Sequence, residues 1–233
     1  MESRPSLSVI VQIGAQRKRS VNCLESLFAQ DVIDELEILV DDFAPDDALP
    51  VEVRGHPSII YNPRHEYQAI GELKAEAVGS ARAPIVAFIE DHCVAQEGWA
   101  RAIIESHQNG WHAIGGRVIN GNPGVGISDL IEVMNYHRWL PPVEAGEQEL
   151  LVGHNTAYDR EALLSYGEAL PALIGCDPVL QWQMAKDGYR LYLNPAVRFK
   201  HINETEIGSI LRGYFLWNRF FAPTRARQFG WSR

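Results

Sequence analysis

Five apolar residues, Ile85-Val86-Ala87-Phe88-Ile89, run without a polar break into Glu90-Asp91-His92. A run this long, branched and aromatic, shows no period-two alternation, so both of its faces must be covered. Such a strand belongs inside a parallel sheet with helices on either side. Side chains that follow it directly stand at its carboxyl end, where open α/β sheets take their ligands. Two carboxylates and an imidazole there can hold a divalent cation against phosphate oxygens. The motif points to an enzyme that handles a nucleotide-linked substrate.

The surrounding pattern supplies the layers this strand needs. Strands are expected at residues 7–11, 36–40 and 58–61, and helices at 20–30, 68–81 and 97–109. This strand–helix alternation implies an α/β fold with a mostly parallel, doubly wound central sheet flanked by helices. Beyond residue 110 the pattern changes. A strand over 113–119 leads to the glycine-rich loop 120–126, then a helix over 127–139 stopped by Pro141-Pro142. Gly153-His154-Asn155-Thr156-Ala157-Tyr158 precedes a helix near Asp159, Asp177-Pro178 opens another, and residues 190–193 form a strand. With no repeat or linker, one domain over residues 1–201 is expected, with halves 1–110 and 111–201. A helical, aromatic and basic extension over 202–233 would follow.

Charge narrows the partners. The net charge of -9 argues against a nucleic-acid binder, which would carry a basic face. From Ile202 onward there are five Arg against two acidic residues, so this tail is +3 and the rest is -12. Cys23, Cys93 and Cys176 have no short metal-type spacing and read as buried thiols of a reduced compartment. No apolar stretch approaches the ~20 residues that span a bilayer, and the N-terminus lacks a signal-peptide core. These features lead to a cytoplasmic location, with contact to the inner face of a membrane left open.

Individual motifs carry competing readings. Asp41-Asp42 closes the second strand and can accept hydrogen bonds from a base or ribose, or satisfy loop backbone donors. Asp177 before Pro178 has the form of a helix N-cap followed by proline at the first helical position, and the residues alone favour that cap over a general base. His201 after a strand reads as structural. His154 and Asn155 either stabilise their loop or contact an acceptor. Residues 210–221 mix aromatics with arginine. Their apolar positions nearly encircle a helix, which favours packing on the core over a lipid surface.

Taken in order, Ser8-Val9-Ile10-Val11, Val40-Asp41-Asp42, Phe88-Ile89-Glu90-Asp91-His92, Gly115-Gly116, Gly153-His154-Asn155, Asp177-Pro178-Val179-Leu180, Asp187-Gly188-Tyr189 and His201 resemble glycosyltransferase family 2. These are inverting, nucleotide-sugar-dependent enzymes of GT-A fold. The likeness runs from Leu7 to His201. It is nearest a subgroup that writes Asp-x-Asp as Glu-Asp-His followed by Gly-Trp, here Gly98-Trp99. The resemblance implies that Asp41, Asp42, Glu90 and Asp91 bind the nucleotide-sugar. It implies that Asp91, His92 and His201 hold Mn²⁺ or Mg²⁺, and that Asp177 is the catalytic base. The hydroxyl acceptor would be a glycan, a lipid-linked molecule or a small molecule, with His154 and Asn155 near it. Peripheral membrane contact or a homodimer would run through the last helix.

Several positions depart from the family pattern. Gln12-Ile13-Gly14-Ala15 replaces Pro-Thr-Tyr-Asn, Lys74-Ala75 replaces Arg-Asn, and Cys176 replaces the first acid of the pair ending in Asp177. The Gln-x-x-Arg-Trp motif of processive members is missing, so single-sugar transfer is expected. An inactive glycosyltransferase-like domain that binds nucleotide, glycan or protein is the second reading. A nucleotidyltransferase with Gly14-Ala15-Gln16-Arg17-Lys18-Arg19 as a triphosphate loop is the third.

Overall fold

A computed structural model describes residues 4–47, 49–66 and 68–230, the side chain of His154 excepted. The strands are β1 (Leu7–Ile13), β2 (Leu36–Asp42), β3 (Ile59–Pro63), β4 (Ile85–Glu90), β5 (Cys93–Ala95), β6 (Ala113–Asn120), β7 (Gly146–Gln148), β8 (Thr156–Asp159) and β9 (Leu191–His201). The helices are α1 (Arg17–Phe28), α2 (Val51–Arg54), α3 (Ile70–Ser80), α4 (Trp99–Gln108), α5 (Gly126–Tyr136), α6 (Arg160–Leu164), α7 (Leu170–Ile174), α8 (Asp177–Lys186) and α9 (Ile207–Phe229).

The strands form one sheet in the order β3-β2-β1-β4-β8-β6-β9-β5, with β7 added on β9. The pairings β1–β2, β1–β4, β2–β3 and β6–β9 are parallel. The short strands β5, β7 and β8 pair antiparallel with their neighbours. This corrects the expected doubly wound parallel sheet to a mixed one. The physical reason lies between β4 and β6. They are separated by one sheet position, and β8 fills that gap from the opposite direction. Strands of three or four residues are too short to carry a readable period.

Burial follows the apolar runs. Every residue of β2 is buried, as are six of the seven in β1. One buried charge is part of this packing. Glu37 on β2, 2% exposed, accepts from Ser8 Oγ at 2.5 Å, from the Arg82 backbone N–H at 2.5 Å and from Arg82 Nε at 2.6 Å. Burial opposes its ionisation, but these donors outweigh burial and hold the carboxyl below its usual value. A depressed carboxyl stabilises the fold above its unfolded-state pKa, and that contribution disappears as pH falls through the folded-state value. Glu37→Gln is therefore expected to cost about 1–3 kcal/mol at neutral pH. It should also flatten the decline of Tm between neutral and acid pH, measured by thermal melts across that range. A melt series as steep as that of the unaltered protein would exclude Glu37 as a source of acid lability.

Two further readings are corrected. The N-cap of α8 is Cys176, and Asp177 is the helix's first residue, so its side chain is not the cap. The last helix was expected to pack its apolar positions on the core, yet none of its residues is buried. It leans on the domain through Phe221 and Phe229, whose rings lie 6.1 and 6.0 Å from that of Trp182.

Candidate active site

Parallel pairing aligns the polar strand ends. Gln12 of β1 stands opposite Asp41 of β2 on one side and Glu90 of β4 on the other. Aligned neighbours on adjacent strands project from the same face, so these three side chains form one polar rung. Both Asp41 and Asp42 are fully buried. Asp41 Oδ1 accepts from Arg64 Nε at 2.9 Å and NH2 at 2.7 Å. Burial outweighs that pairing and pushes the Asp41 carboxyl up. Its other oxygen, Oδ2, and the Gln12 amide nitrogen are both buried without a hydrogen-bond partner among the described residues. Asp42 is fully engaged: Arg17 donates at 2.8 and 3.0 Å, Tyr61 OH at 2.6 Å and the Ala44 N–H at 2.9 Å. Burial opposes ionisation here too, but the hydrogen bonds from Arg17, Tyr61 and Ala44 outweigh it and hold Asp42 below its usual value.

The turn after β4 sends its three polar residues different ways. Asp91 turns toward the start of α1, where Ser20 Oγ donates at 3.0 Å and Arg19 lies at 3.2 Å. Burial opposes its charge, while the His92 hydrogen bond, Arg19 and Ser20 outweigh burial and hold the carboxyl low. His92 and His201 instead meet, with their Nε2 atoms 3.0 Å apart. Glu90 Oε2 lies 3.2 Å from the first and 3.4 Å from the second. His201 is delivered from the end of β9, where it pairs with Cys93 of β5. Burial works against a charged His92, yet Glu90 and Asp91 push its pKa up to about 9.

The outer ring nitrogens decide what this pair can hold. Asn203 Nδ2 donates to Glu132 at 2.7 Å, which leaves Asn203 Oδ1 facing His201 Nδ1 at 2.9 Å. Asp91 Oδ1 faces His92 Nδ1 at 3.3 Å. Each Nδ1 thus has an oxygen acceptor for its hydrogen, which turns each Nε2 toward the cluster, where the Tyr136 hydroxyl also lies 3.0 Å from His201 Nε2. Two ring nitrogens and a carboxylate oxygen converging at these distances need a shared proton or a cation among them, and a divalent cation can take the place of that proton. The donor set fits a divalent metal. Cys93 Sγ also falls within 4.8 Å of ligand atoms of Glu90 and His201. Burial drives that thiol's pKa well up, so it remains protonated.

Asp177 approaches from the other half of the chain. Lys74 Nζ of α3 donates to its Oδ1 at 3.1 Å, with both side chains mostly buried. Gly153 presses on the opposite side, where an added Cβ would collide with Asp177 Cβ. Two residues on, Asn155 Nδ2 donates to Cys93 Sγ at 3.4 Å. One short 3₁₀ turn, Gly153–Asn155, thus touches both Asp177 and β5. The side chain of His154, between them, lies outside the described residues. Gly153→Ala is expected to displace Asp177 and lower kcat by about 10²-fold through misplacement alone. Steady-state rates beside an unchanged circular dichroism spectrum would check this; wild-type kcat would show that the contact has no functional weight.

Residue patterns gave no sign of Gln12, Arg64, Glu132, Asn203 or Tyr136, whose ring lies against that of His201. Arg17 and Arg19, which by sequence suggest a triphosphate loop, bind Asp42 and Asp91. Lys74 stood out only as a departure from arginine. Its partner lies 103 residues away, beyond any local signal.

A model of the family described as glycosyl transferase family 2 matches residues 8–167. No curated protein matches the chain. Among solved structures, PcManGT, a mannosyltransferase from Pyrobaculum calidifontis in complex with GDP-Man and Mn²⁺, is 21% identical with a TM-score of 0.66, covering 98% of this chain and 64% of that one. GalNAc-T7 with UDP, GalNAc and Mn²⁺ is 12% identical with a TM-score of 0.68, covering 87% of this chain and 44% of that one. The chain thus spans less than two thirds of either protein, and at these identities the likeness shows the fold, a single GT-A-like α/β domain. The family match extends over more than half of the chain, which therefore belongs to glycosyl transferase family 2.

Proposed function

We propose that this chain is a non-processive, inverting glycosyltransferase that moves one sugar from a nucleotide-diphosphate sugar to a hydroxyl acceptor with help from a divalent metal. The observation that carries the reading is the pair of imidazole Nε2 atoms, 3.0 Å apart, beside Glu90 at the end of a sheet of this family's fold. His92, His201 and Glu90 would hold the metal. Their mix of nitrogen and oxygen suits Mn²⁺ better than Mg²⁺, which prefers oxygen alone. Asp91, assigned to the metal by the resemblance, instead orients His92 and the first loop. When bound, the metal supplies charge neutralisation for the leaving diphosphate.

This chain's own residues would do the rest. Asp41 Oδ2 and Gln12 Nε2 offer one acceptor and one donor on a single rung, suited to a nucleoside. Arg17 and Arg19 lie beside that rung and add positive potential near the phosphates. The Asp177 carboxylate takes the acceptor hydroxyl's proton as the hydroxyl attacks the anomeric carbon from the face opposite the leaving group. In this reading residues 1–110 bind the donor, and 111–201 bring the base and the late histidine.

The ion pair between Lys74 and Asp177 favours a second reading, a glycosyltransferase-like domain that binds without reacting, because it engages the base. The two are separated by incubating the protein and Mn²⁺ with a panel of nucleotide-sugars and acceptor alcohols. Anomeric configuration of any product is read by proton NMR. Product of inverted configuration supports transfer. Nucleotide-dependent stabilisation of the protein without product from any donor supports the second reading.

A further inference from the structure

The surface of α9 is unlike the rest of the molecule. Its 23 residues include four arginines, Arg212, Arg219, Arg225 and Arg227, and none of the chain's 30 acidic residues. Large apolar side chains share its outer side: Leu211 is 64% and Phe215 62% exposed, with Leu216 and Phe220 also open to solvent. Tyr214 OH donates to Asn135 Oδ1 at 2.6 Å, which sets α9 beside α5. There Leu130, Val133 and Met134 are exposed as well. Two neighbouring helices thus present apolar residues that the domain leaves uncovered, and a patch of this kind marks an interaction surface. Arg219 lies over the Phe215 ring at 5.6 Å, so a cation borders the exposed apolar surface directly.

Charge selects the occupant. A second copy would bring the same arginines against these, and like charges facing each other oppose a symmetric contact. An anionic bilayer answers both features at once. Its headgroups meet the arginines while phenylalanine and leucine enter the boundary below them, the composition of helices that lie in a membrane interface. No described helix is long and apolar enough to cross a membrane, so the contact is peripheral. We infer that the outer faces of α9 and α5 dock this protein on a bilayer rich in anionic lipid.

The test is cosedimentation of the full chain with vesicles of phosphatidylcholine alone and of phosphatidylcholine with phosphatidylglycerol, without nucleotide or acceptor. Its outcome is therefore independent of the sugar-transfer reading. Binding is expected to the anionic vesicles only and to weaken as salt is raised. Arg212→Gln with Arg219→Gln should reduce it about tenfold or more, near the surface contribution of each basic residue. Phe215→Ser with Leu216→Ser should reduce it by a similar factor, with melting behaviour unchanged in both. Absence of pelleting, equal binding to neutral vesicles, or binding indifferent to salt would each overturn the inference. So would light scattering that shows a dimer dissolved by the Phe215 and Leu216 changes, which would make the face a self-interface. Should a variant fail to fold, the salt and lipid dependence of the unaltered chain still decides.

Discussion

Asp177→Asn is expected to lower kcat/KM for sugar transfer by about 10²–10⁴-fold, the contribution of a positioned general base. The amide keeps the shape of the carboxylate and an oxygen for Lys74, but it cannot take a proton at neutral pH. The fold should lose little, because the amide oxygen still accepts from Lys74 and neither side chain of the pair is fully buried. A fall in Tm of about 2–4 °C would match a loss of ~1 kcal/mol in a chain of this size. Stabilisation by a nucleoside diphosphate should survive, since the donor rung lies on β1, β2 and β4. Parallel measurement of product formation and of the nucleotide-induced Tm shift separates these effects. Undiminished turnover in the asparagine variant would remove Asp177 from the base role, whatever its place beside Gly153 and Lys74.

His201→Ala should weaken Mn²⁺ binding by more than about 100-fold, and Asn203→Ala by about 10–100-fold. The second figure is the usual effect of losing a group that orients a ligand histidine. The order follows from geometry. His201 presents Nε2 to the cluster, whereas Asn203 Oδ1 only fixes which nitrogen carries the hydrogen. Glu132, 4% exposed, loses its Asn203 donor in the second variant, so that variant should also be the less stable of the two. Titration calorimetry with Mn²⁺, accompanied by thermal melts, reads both quantities. Equal Mn²⁺ affinity in the unaltered protein and in His201→Ala would show that the paired imidazoles are not the metal's ligands.

The two carboxylates that looked alike in the sequence, Asp41 and Asp42, come apart in the fold. Their shared place at the end of β2 was legible, because an apolar run followed by acids has one simple placement in an α/β sheet. Their different states were not. Arg64 leaves one oxygen of Asp41 unpartnered among the described residues, while Arg17, Tyr61 and Ala44 occupy Asp42 completely. The same holds for Glu90-Asp91-His92. The motif announced a cation site, but which side chain turns into the cluster depends on β9 arriving beside β5 with His201 at its end. Residue Asp177 shows a local rule misapplied. Proline at the next position signalled a helix start correctly, yet the cap is Cys176, and contacts from Lys74 and Gly153 set where the carboxylate lies.

By itself the sequence determined the long strands except most of β9, the α/β class and the cluster of acids and histidine at the sheet's ligand-binding edge. These follow from periodicity and composition within short windows, where each residue's preference acts on its neighbours. Only the tertiary structure decided the direction of β5, β7 and β8, the cationic partner of each acid and the exposure of the last helix. Those outcomes depend on contacts between residues far apart in the chain, such as Lys74 with Asp177 and His92 with His201. Their free energy exists only once the sheet has closed and water has been excluded from between them.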